Sequence, residues 1–196
     1  MKKLSTYLFL FILSFSMSSH ADDIKEFEIE GISIGDSLLN HLSKKEIITE
    51  IEFNKPSYNY LNNDFGEVYS FNKFETYDSL SFFVKPNDEK FLIYEVQGLI
   101  SYIEDLNGCH IKQNEIVEEI SDLLEDAKKS EQSFKSRADP SGKSTKDKIK
   151  FTFNSGDEIQ VNCTNWEENF RIKNNLTEGL SVIISTNGVL NWLRGN

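Results

Sequence analysis

The chain has 196 residues, of which 38% are hydrophobic, and 32 acidic residues outnumber 21 basic ones to give a formal net charge of -11. This length suits one domain or two small packed halves. The acidic balance argues against nucleic acid as a partner, because binding phosphates requires a basic surface that displaces counterions.

The first 21 residues predict an export signal. A basic start precedes the apolar run 4–15, and small residues lead to Ala21 just before the acidic Asp22. The apolar run holds about a dozen residues, whereas a membrane-spanning helix needs about twenty. We therefore predict cleavage between Ala21 and Asp22, a mature domain over 22–196 without a stable membrane anchor, and a periplasmic or secreted bacterial location.

The first half of the mature chain, 22–107, predicts short helices followed by three strands. Ser43 and Glu46 have the spacing of a capping box at the start of a helix that Pro56 ends. The stretch from Ser57 to Asp64, rich in Asn and Tyr, predicts a loop. Short connections between the strands that follow favour an antiparallel meander. The predicted strands are 68–74, 79–84 and 91–102.

The second half, 108–196, opens with the clearest helical pattern of the chain. Over 109–129 the apolar residues recur at helical spacing and the other side is acidic, so we predict one long amphipathic helix. The next segment, 130–148, is rich in Ser and Lys, and we predict a flexible basic connector there. A basic protrusion that touches an acidic partner or phospholipid headgroups is the functional alternative.

A hairpin follows the connector. Apolar residues alternate with polar ones on both sides of the turn at Ser155-Gly156-Asp157. The residues predicted to face solvent are Lys150, Thr152, Glu158, Gln160 and Asn162. A last strand, 180–185, leads through the predicted N-cap Thr186 to a terminal helix. Both halves thus place a helix before three strands, which makes an internal duplication one hypothesis. The predicted class is α+β, with antiparallel strands packed on one long and several short helices.

Two cysteines, Cys109 and Cys163, predict one disulfide, since an even number of cysteines in an exported chain is normally paired. Their separation does not match the C-x-x-C spacing of a redox site. Cys163 falls on the inward side of its strand, so the bridge would attach the long helix to the sheet.

Other motifs do not predict a cofactor or a metal. Ser141-Gly142-Lys143-Ser144 looks like the end of a phosphate-binding loop, but Arg137 stands where the first glycine belongs. His41 and His110 are far apart and form no helical metal-binding pair. We predict no catalytic residue, although a hydroxyl beside either histidine would favour a hydrolase.

Several segments carry a resemblance to known proteins. They are Phe27-Glu-Ile-Glu-Gly-Ile-Ser-Ile-Gly-Asp-Ser-Leu-Leu39, the stretch from Tyr77-Asp78-Ser79 to Ile93-Tyr94, Ser141-Gly-Lys-Ser144 and Ser155-Gly-Asp-Glu158. Together they resemble a group of small exported proteins of marine alphaproteobacteria with no known activity, which implies a signal peptide and a small mixed fold. The segment 31–39 is also similar to the helix entry of outer-membrane assembly accessory lipoproteins and of the beta-lactamase inhibitor protein. Those proteins bind proteins.

The function predicted from these features is a non-enzymatic module that binds another envelope or extracellular protein. Aromatic residues in or beside irregular segments are the candidate contact surface. They are Tyr58, Tyr60, Phe65 and Trp166. The alternative is a protein that binds a small ligand or a cation in a cleft between the halves, with acidic residues attracting positive charge.

Overall fold

A computed structural model describes residues 23–59, 61–72, 74–124 and 127–195. The predicted signal peptide and its cleavage site lie outside these ranges. The strands are β1 Glu28–Ile29, β2 Ile32–Ser33, β3 Gly66–Ser70, β4 Ser79–Val84, β5 Ile93–Ser101, β6 Lys128–Lys135, β7 Thr145–Thr152, β8 Glu158–Asn165 and β9 Gly179–Ser185. The helices are α1 Lys44–Asn54, α2 Leu106–Leu123, α3 Glu168–Asn174 and α4 Asn187–Arg194. Short 3-10 turns cover Ile24–Glu26, Leu38–Asn40 and Lys55–Tyr58.

Seven strands form one antiparallel sheet in the order β3-β4-β5-β9-β8-β7-β6, and β1 pairs with β2 in a small separate hairpin. The α+β prediction is confirmed. Within the described ranges, no helix has the length and apolar character needed to cross a membrane.

The sheet consists of two blocks that are each continuous in sequence. Strands β3 to β5 come from the first half and strands β6 to β9 from the second, and the blocks join where β5 pairs with β9 from Glu95↔Ser185 to Ser101↔Gly179. The prediction of a helix followed by three strands holds for the first half. In the second half α2 is followed by four strands, with α3 inserted before the last one.

The main core lies between one side of this sheet and the helices α1 and α2. Leu80, Phe82, Val96, Val161 and Leu180 are buried on the sheet side. Facing them, α1 contributes Ile47 and Ile51, and α2 contributes Val117 and Ile120 at helical spacing. Each fully buried side chain of this size stabilises the fold by about 1.5–3 kcal/mol, so this side of the sheet is the main source of stability.

A disulfide and a buried amide fix α2 to the sheet. Cys109 in the first turns of α2 is bonded to Cys163 on β8 with a Cα–Cα distance of 6.0 Å, which confirms the predicted pair. One turn further along, the Gln113 side-chain amide donates to the backbone oxygens of Val161 at 2.9 Å and of Asp147 at 3.1 Å. The helix is therefore attached to both β7 and β8.

The predicted connector over 130–148 is wrong, because most of it forms the paired strands β6 and β7. The predicted helix over 109–129 ends at Leu123 instead, and Lys128 and Lys129 begin β6. β6 is an edge strand that is exposed along nearly its whole length. Its side chains need not alternate between apolar and polar, so only backbone pairing with β7 identifies it as a strand.

Candidate binding face

The side of the sheet turned away from α1 and α2 is dominated by polar side chains, and we call it the polar face. Alternate residues of a strand point to opposite sides, so the register of the sheet defines its members. Most of its polar members fall into three sectors. The acidic sector, on β3 to β5, consists of Glu67, Tyr69, Ser81 and Glu95. The central sector, on β5 and β9, consists of Gln97, Leu99, Ser181 and Ile183. The lysine sector, on β7 and β8, consists of Lys146, Lys148, Lys150, Gln160, Asn162 and Thr164.

Cross-strand pairing makes the face continuous. Ser181 lies opposite Asn162, which lies opposite Lys148. In the next row Ile183 lies opposite Gln160, and Gln160 opposite Lys150. Directly opposite side chains in antiparallel strands have Cβ atoms about 4.5–5.5 Å apart. The sectors therefore form one surface that runs across the junction between the two blocks.

One end of the polar face is covered by α4 and the 3-10 turn Lys55–Tyr58. Phe83 of β4 packs between them, with its ring centroid 5.7 Å from that of Trp192 and 5.6 Å from that of Tyr58. The indole N–H of Trp192 donates to the backbone oxygen of Asn62 at 3.0 Å. Phe83 thus buries its ring on the side opposite the main core, so β4 packs on both sides.

The acidic sector holds two buried carboxyl groups beneath this cover. Burial raises the pKa of Glu67, although its carboxylate accepts a hydrogen bond of 2.6 Å from the Tyr58 hydroxyl. Burial also raises the pKa of Glu95 to about 7, against the opposing hydrogen bond from the Ser185 hydroxyl and with a further increase from the charge of Glu67. Placing two carboxyl groups in one buried region disfavours the charged form of both.

The lysine sector has the opposite sign and is less covered. Lys150 pairs with Glu158 at 2.8 Å, and Arg194 of α4 approaches the same carboxylate at 3.4 Å. Lys146 and Lys148 are half-buried, and neither forms a salt bridge with a carboxylate of the described ranges. Burial lowers the pKa of Lys146 to about 8 and also lowers that of Lys148. Both ammonium groups are partly desolvated without a paired carboxylate.

Buried polar atoms without a hydrogen-bond partner also lie on the polar face. Within the described part of the chain these atoms are Oγ of Ser130, Oδ1 of Asn162 and Oγ of Ser81, the last of which lies near the Glu67 carboxylate without a hydrogen bond of good geometry. Ser130 belongs to this face because it lies opposite Lys150 on the neighbouring strand. A buried polar group left unpaired costs about 1–3 kcal/mol. These buried polar atoms without a hydrogen-bond partner therefore lie on one side of the sheet.

Comparison with known proteins returns no match. No protein-family model, no curated protein and no solved structure matches this chain. The resemblance of 27–39 and the later segments to exported proteins of marine alphaproteobacteria therefore stays a prediction, and so does the similarity of 31–39 to envelope proteins that bind proteins.

The aromatic residues predicted as a contact surface fall into separate places. Tyr58 and Phe65 are half-buried against Trp192, with ring centroids 5.4 and 5.6 Å from its ring. Trp166 follows the opposite end of β8, where its indole N–H donates to the backbone oxygen of Thr177 at 3.0 Å. Tyr60 lies outside the described residues. The structure thus brings Tyr58 and Phe65 together and leaves Trp166 apart.

A groove opens between α1, the 3-10 turn Lys55–Tyr58, β3 and α4. Its volume is about 820 Å³, and its lining includes Tyr58, Phe65, Glu67, Trp192 and several Asn side chains. Aromatic rings beside a carboxyl group are a suitable environment for an organic cation. The groove borders the acidic sector, so it is the place where the predicted alternative of ligand or cation binding has a physical basis.

The two histidines do not assemble a hydrolytic site. His41 is exposed at the end of the 3-10 turn Leu38–Asn40. His110 Nε2 lies 2.9 Å from Asp147 Oδ2, and the Ser133 hydroxyl donates to the other oxygen of the same carboxylate. A catalytic triad places the histidine between serine and aspartate so that it can take the serine proton. Here the carboxylate lies in the middle, and Ser133 has no hydrogen bond to His110.

The segment that looks like a phosphate-binding loop is closed by its own carboxylate. Asp139 accepts hydrogen bonds of 2.7–2.9 Å from the backbone N–H and hydroxyl groups of both Ser141 and Ser144. Burial acts to raise the pKa of Asp139, but these hydrogen bonds outweigh it and lower the pKa. The donors are thereby used within the turn between β6 and β7. Among the described residues, no three His, Cys, Asp or Glu side chains are grouped so that they could hold a metal ion.

The polar face as a binding surface was not predicted from the sequence. The hairpin pattern correctly places Glu158, Gln160 and Asn162 on the side away from the core, but the prediction that they face solvent is wrong because all three are buried. One signal for the face is visible in the sequence. Lys146, Lys148 and Lys150 alternate along one strand, which puts three like charges on one side of it.

Proposed function

We propose that this protein is an exported, non-enzymatic module that binds a second protein of the envelope or extracellular space through its polar face. The predicted export signal supports the location, and so does the disulfide between Cys109 and Cys163, since disulfides persist in oxidising compartments. Periplasm and secretion are both compatible with these features.

The observation that carries the proposal is the concentration of unpaired polar groups on one side of the sheet. Lys146, Lys148 and the side-chain oxygen of Asn162 lack partners there in the described part of the chain. On the other side of the sheet the buried Gln113 amide donates two hydrogen bonds, to the backbone oxygens of Asp147 and Val161. Groups that only served folding would be expected to be paired or replaced by apolar residues.

The dimensions of the face favour a protein over a small molecule. Seven strands spaced about 4.8 Å apart span about 29 Å. One end is covered by α4, and the half-buried side chains that remain open to contact lie mainly in the central and lysine sectors. Half-buried Leu99 and Ile183 beside Gln97 give the mixture of apolar and polar groups that is typical of such interfaces.

Site-specific photo-crosslinking in cells that make the full chain tests the proposal. A photoreactive amino acid is placed at Ile183 or Gln97 on the polar face and, as a control, at the exposed Glu118 on the outer side of α2. We expect one discrete protein adduct from the two positions on the face and none from Glu118. The absence of an adduct from both face positions, or an equal adduct from Glu118, would contradict the proposal.

The groove beside Tyr58, Glu67 and Trp192 supports a second candidate function, the binding of a small organic cation. Its aromatic lining and the buried carboxyl group carry this alternative. Thermal unfolding with choline or arginine present tests it. Ligand binding predicts a higher melting temperature that Glu67→Gln abolishes, and an unchanged melting temperature at millimolar ligand would remove this candidate.

A further inference from the structure

The lysine sector contains two partly buried cations, and the charges of Glu158 and Glu95 offset the burial of Lys148 only in part. Lys150 on the same strand shows the contrast, because Glu158 pairs with it at 2.8 Å. Lys146 and Lys148 have no such partner in the described ranges, and the pKa of each is lowered, first of all by burial. A partly buried ammonium group is stabilised by an anion that reaches it.

We infer that Lys146 and Lys148 bind a side-chain carboxylate from an acidic segment of the protein that docks on the polar face. The inference rests on the proposed function and names the chemistry of its partner. The site and an acidic segment have opposite charges, because Lys146 and Lys148 supply two positive charges on a chain whose net charge is -11.

The strand geometry places both ammonium groups and two uncharged polar groups around one position. Residues two apart on β7 lie on the same side, about 6.6–6.8 Å apart along the strand. Lys148 lies directly opposite Asn162, and Lys146 directly opposite Thr164. A carboxylate located above this quartet has two ammonium donors within reach of long flexible side chains, with an amide and a hydroxyl group beneath it.

The unpaired amide oxygen of Asn162 fits this arrangement. Its Nδ2 atom donates to the Ser181 hydroxyl oxygen at 3.2 Å, while Oδ1 has no partner among the residues that the structure describes. The two ends of an amide group have almost the same shape, so the group can turn by 180° about its terminal bond without a change in packing. In the turned orientation the Ser181 hydroxyl donates to Oδ1, and Nδ2, which is buried in the free protein, becomes a donor for a carboxylate that reaches the floor of the lysine sector.

Charge and residue type favour a carboxylate over a phosphate. Both cations are lysines, whereas bidentate recognition of phosphate commonly uses arginine. Glu158 lies on the same face, one strand from Lys150, and would repel a doubly charged phosphate more strongly than a singly charged carboxylate. A net charge of -11 also opposes contact with an anionic membrane or nucleic acid. An acidic peptide segment needs only local positive charge.

Titration of the purified protein with acetylated hexaglutamate amide, followed by amide NMR signals, tests the inference. The test variant is Lys146→Ala/Lys148→Ala. Its matched control is Lys135→Ala/Lys143→Ala, which removes the same charge from exposed positions of the same hairpin. We expect the peptide to shift the signals of the lysine sector, the test variant to weaken binding at least tenfold, and the control to stay within twofold of the unmodified protein.

A charge-conserving variant, Lys146→Arg/Lys148→Arg, separates lost binding from lost structure. It is expected to keep the affinity for hexaglutamate within about threefold, and circular dichroism verifies that all variants remain folded. Equal weakening in the test and control variants would overturn the inference, because it would show a general charge effect. Saturation of the sector by inorganic phosphate with no response to hexaglutamate would overturn the assignment to carboxylate.

Crosslinking from Ile183 in the Lys146→Ala/Lys148→Ala background distinguishes this inference from the proposed function. An adduct that persists at the unmodified level would leave the polar face as the docking surface and refute a role for the two lysines. Binding of hexaglutamate at the lysine sector without any adduct from the face would instead refute the protein partner and retain the anion site.

Discussion

Replacing Glu95 with glutamine is expected to stabilise the protein at neutral and alkaline pH. Glu95 is 4% exposed on β5, and burial raises its pKa to about 7, with Glu67 adding repulsion and the Ser185 hydroxyl opposing the shift. Glutamine keeps the shape and retains an oxygen that accepts the hydrogen bond from Ser185. Glu95→Gln therefore removes the buried charge while leaving the contacts of the side chain in place.

The sign and size of the effect follow from linkage. The folded protein holds the Glu95 proton up to pH of about 7, whereas the unfolded chain releases it near its ordinary value of 4.5, so stability falls as the pH rises between these values. One pKa unit corresponds to 1.36 kcal/mol, so a rise of about 2.5 units gives an upper limit of about 3 kcal/mol at pH 8. Near pH 4.5 and below, the difference between the two proteins should approach zero.

Urea unfolding of both proteins at pH 4.5, 6 and 8 measures this difference. Glu95→Gln should be the more stable protein at pH 8, and its stability should depend less on pH between 5 and 7. The control Glu118→Gln removes one exposed carboxyl group and should change the free energy of unfolding by less than about 0.5 kcal/mol at every pH. A Glu95→Gln protein that parallels the unmodified protein across this range would refute the assignment of a buried, costly charge.

Three further changes test the fold. Removing the disulfide with Cys109→Ser/Cys163→Ser should lower the free energy of unfolding by roughly 4 kcal/mol on the chain-entropy model for a separation of 54 residues, as measured by urea unfolding without reductant. Gly98→Ala should cost about 1–3 kcal/mol in the same assay, since its Cβ would lie 2.4 Å from the buried ring of Tyr77. Asp139→Asn should lower the melting temperature at pH 7. Hydrogen bonds lower the pKa of Asp139, so its contribution exists above the unfolded value near 4 and fades as the pH falls below it.

For each of these three predictions, one experimental outcome would contradict the stated reason. Addition of dithiothreitol should lower the stability of the unmodified protein to that of the double serine variant, and a remaining gap would show that the serines act other than by removing the bridge. Gly188→Ala in α4 meets no atom closer than 3.8 Å and should be neutral or stabilising, so equal losses at Gly98 and Gly188 would refute the steric reason. For Asp139→Asn, a deficit that persists unchanged at pH 3 would refute the role of the ionised carboxylate.

Periodicity predicted the elements whose two sides have different environments. β4 is predicted at 79–84 and observed at Ser79–Val84, because Leu80, Phe82 and Val84 alternate with residues of the other face. The capping box is equally local: Ser43 Oγ accepts from the backbone N–H of Glu46 at 3.3 Å, and the Glu46 carboxylate accepts from that of Ser43 at 2.8 Å. The residues that determine such elements lie within a few positions of one another in the sequence.

Elements that form only through pairing with residues distant in the sequence were not predicted. β6 has polar side chains on both sides apart from Phe134, and it is a strand because β7 supplies its backbone partners. Its neighbouring turn depends on Asp139 reaching Ser144 five residues later. The prediction of a loop there had a sound compositional basis, since Ser, Lys, Pro and Gly are frequent in loops, but composition does not report which backbone groups meet.

The polar face was not predicted for a related reason. The sequence shows on which side of a strand each residue lies, but not whether that side is covered. Asn162 and Glu158 are polar residues at the expected outward positions, and only the assembled sheet, with α4 folded over one end, makes them buried. The buried state of Glu95 depends likewise on Phe83, Trp192 and the partner strand β9.

The distribution of favourable and unfavourable features across the sheet supports a binding role for the polar face. The side under α1 and α2 has apolar packing, a disulfide and the Gln113 amide, which donates two hydrogen bonds. The other side has a carboxyl group with a pKa raised to about 7, and it has two lysines and the side-chain oxygen of Asn162 without a partner among the described residues. Apolar residues at these polar-face positions would remove the electrostatic costs and are compatible with strands. The presence of Lys146, Lys148 and Asn162 at these positions is therefore better explained by the proposed partner than by the stability of the isolated fold.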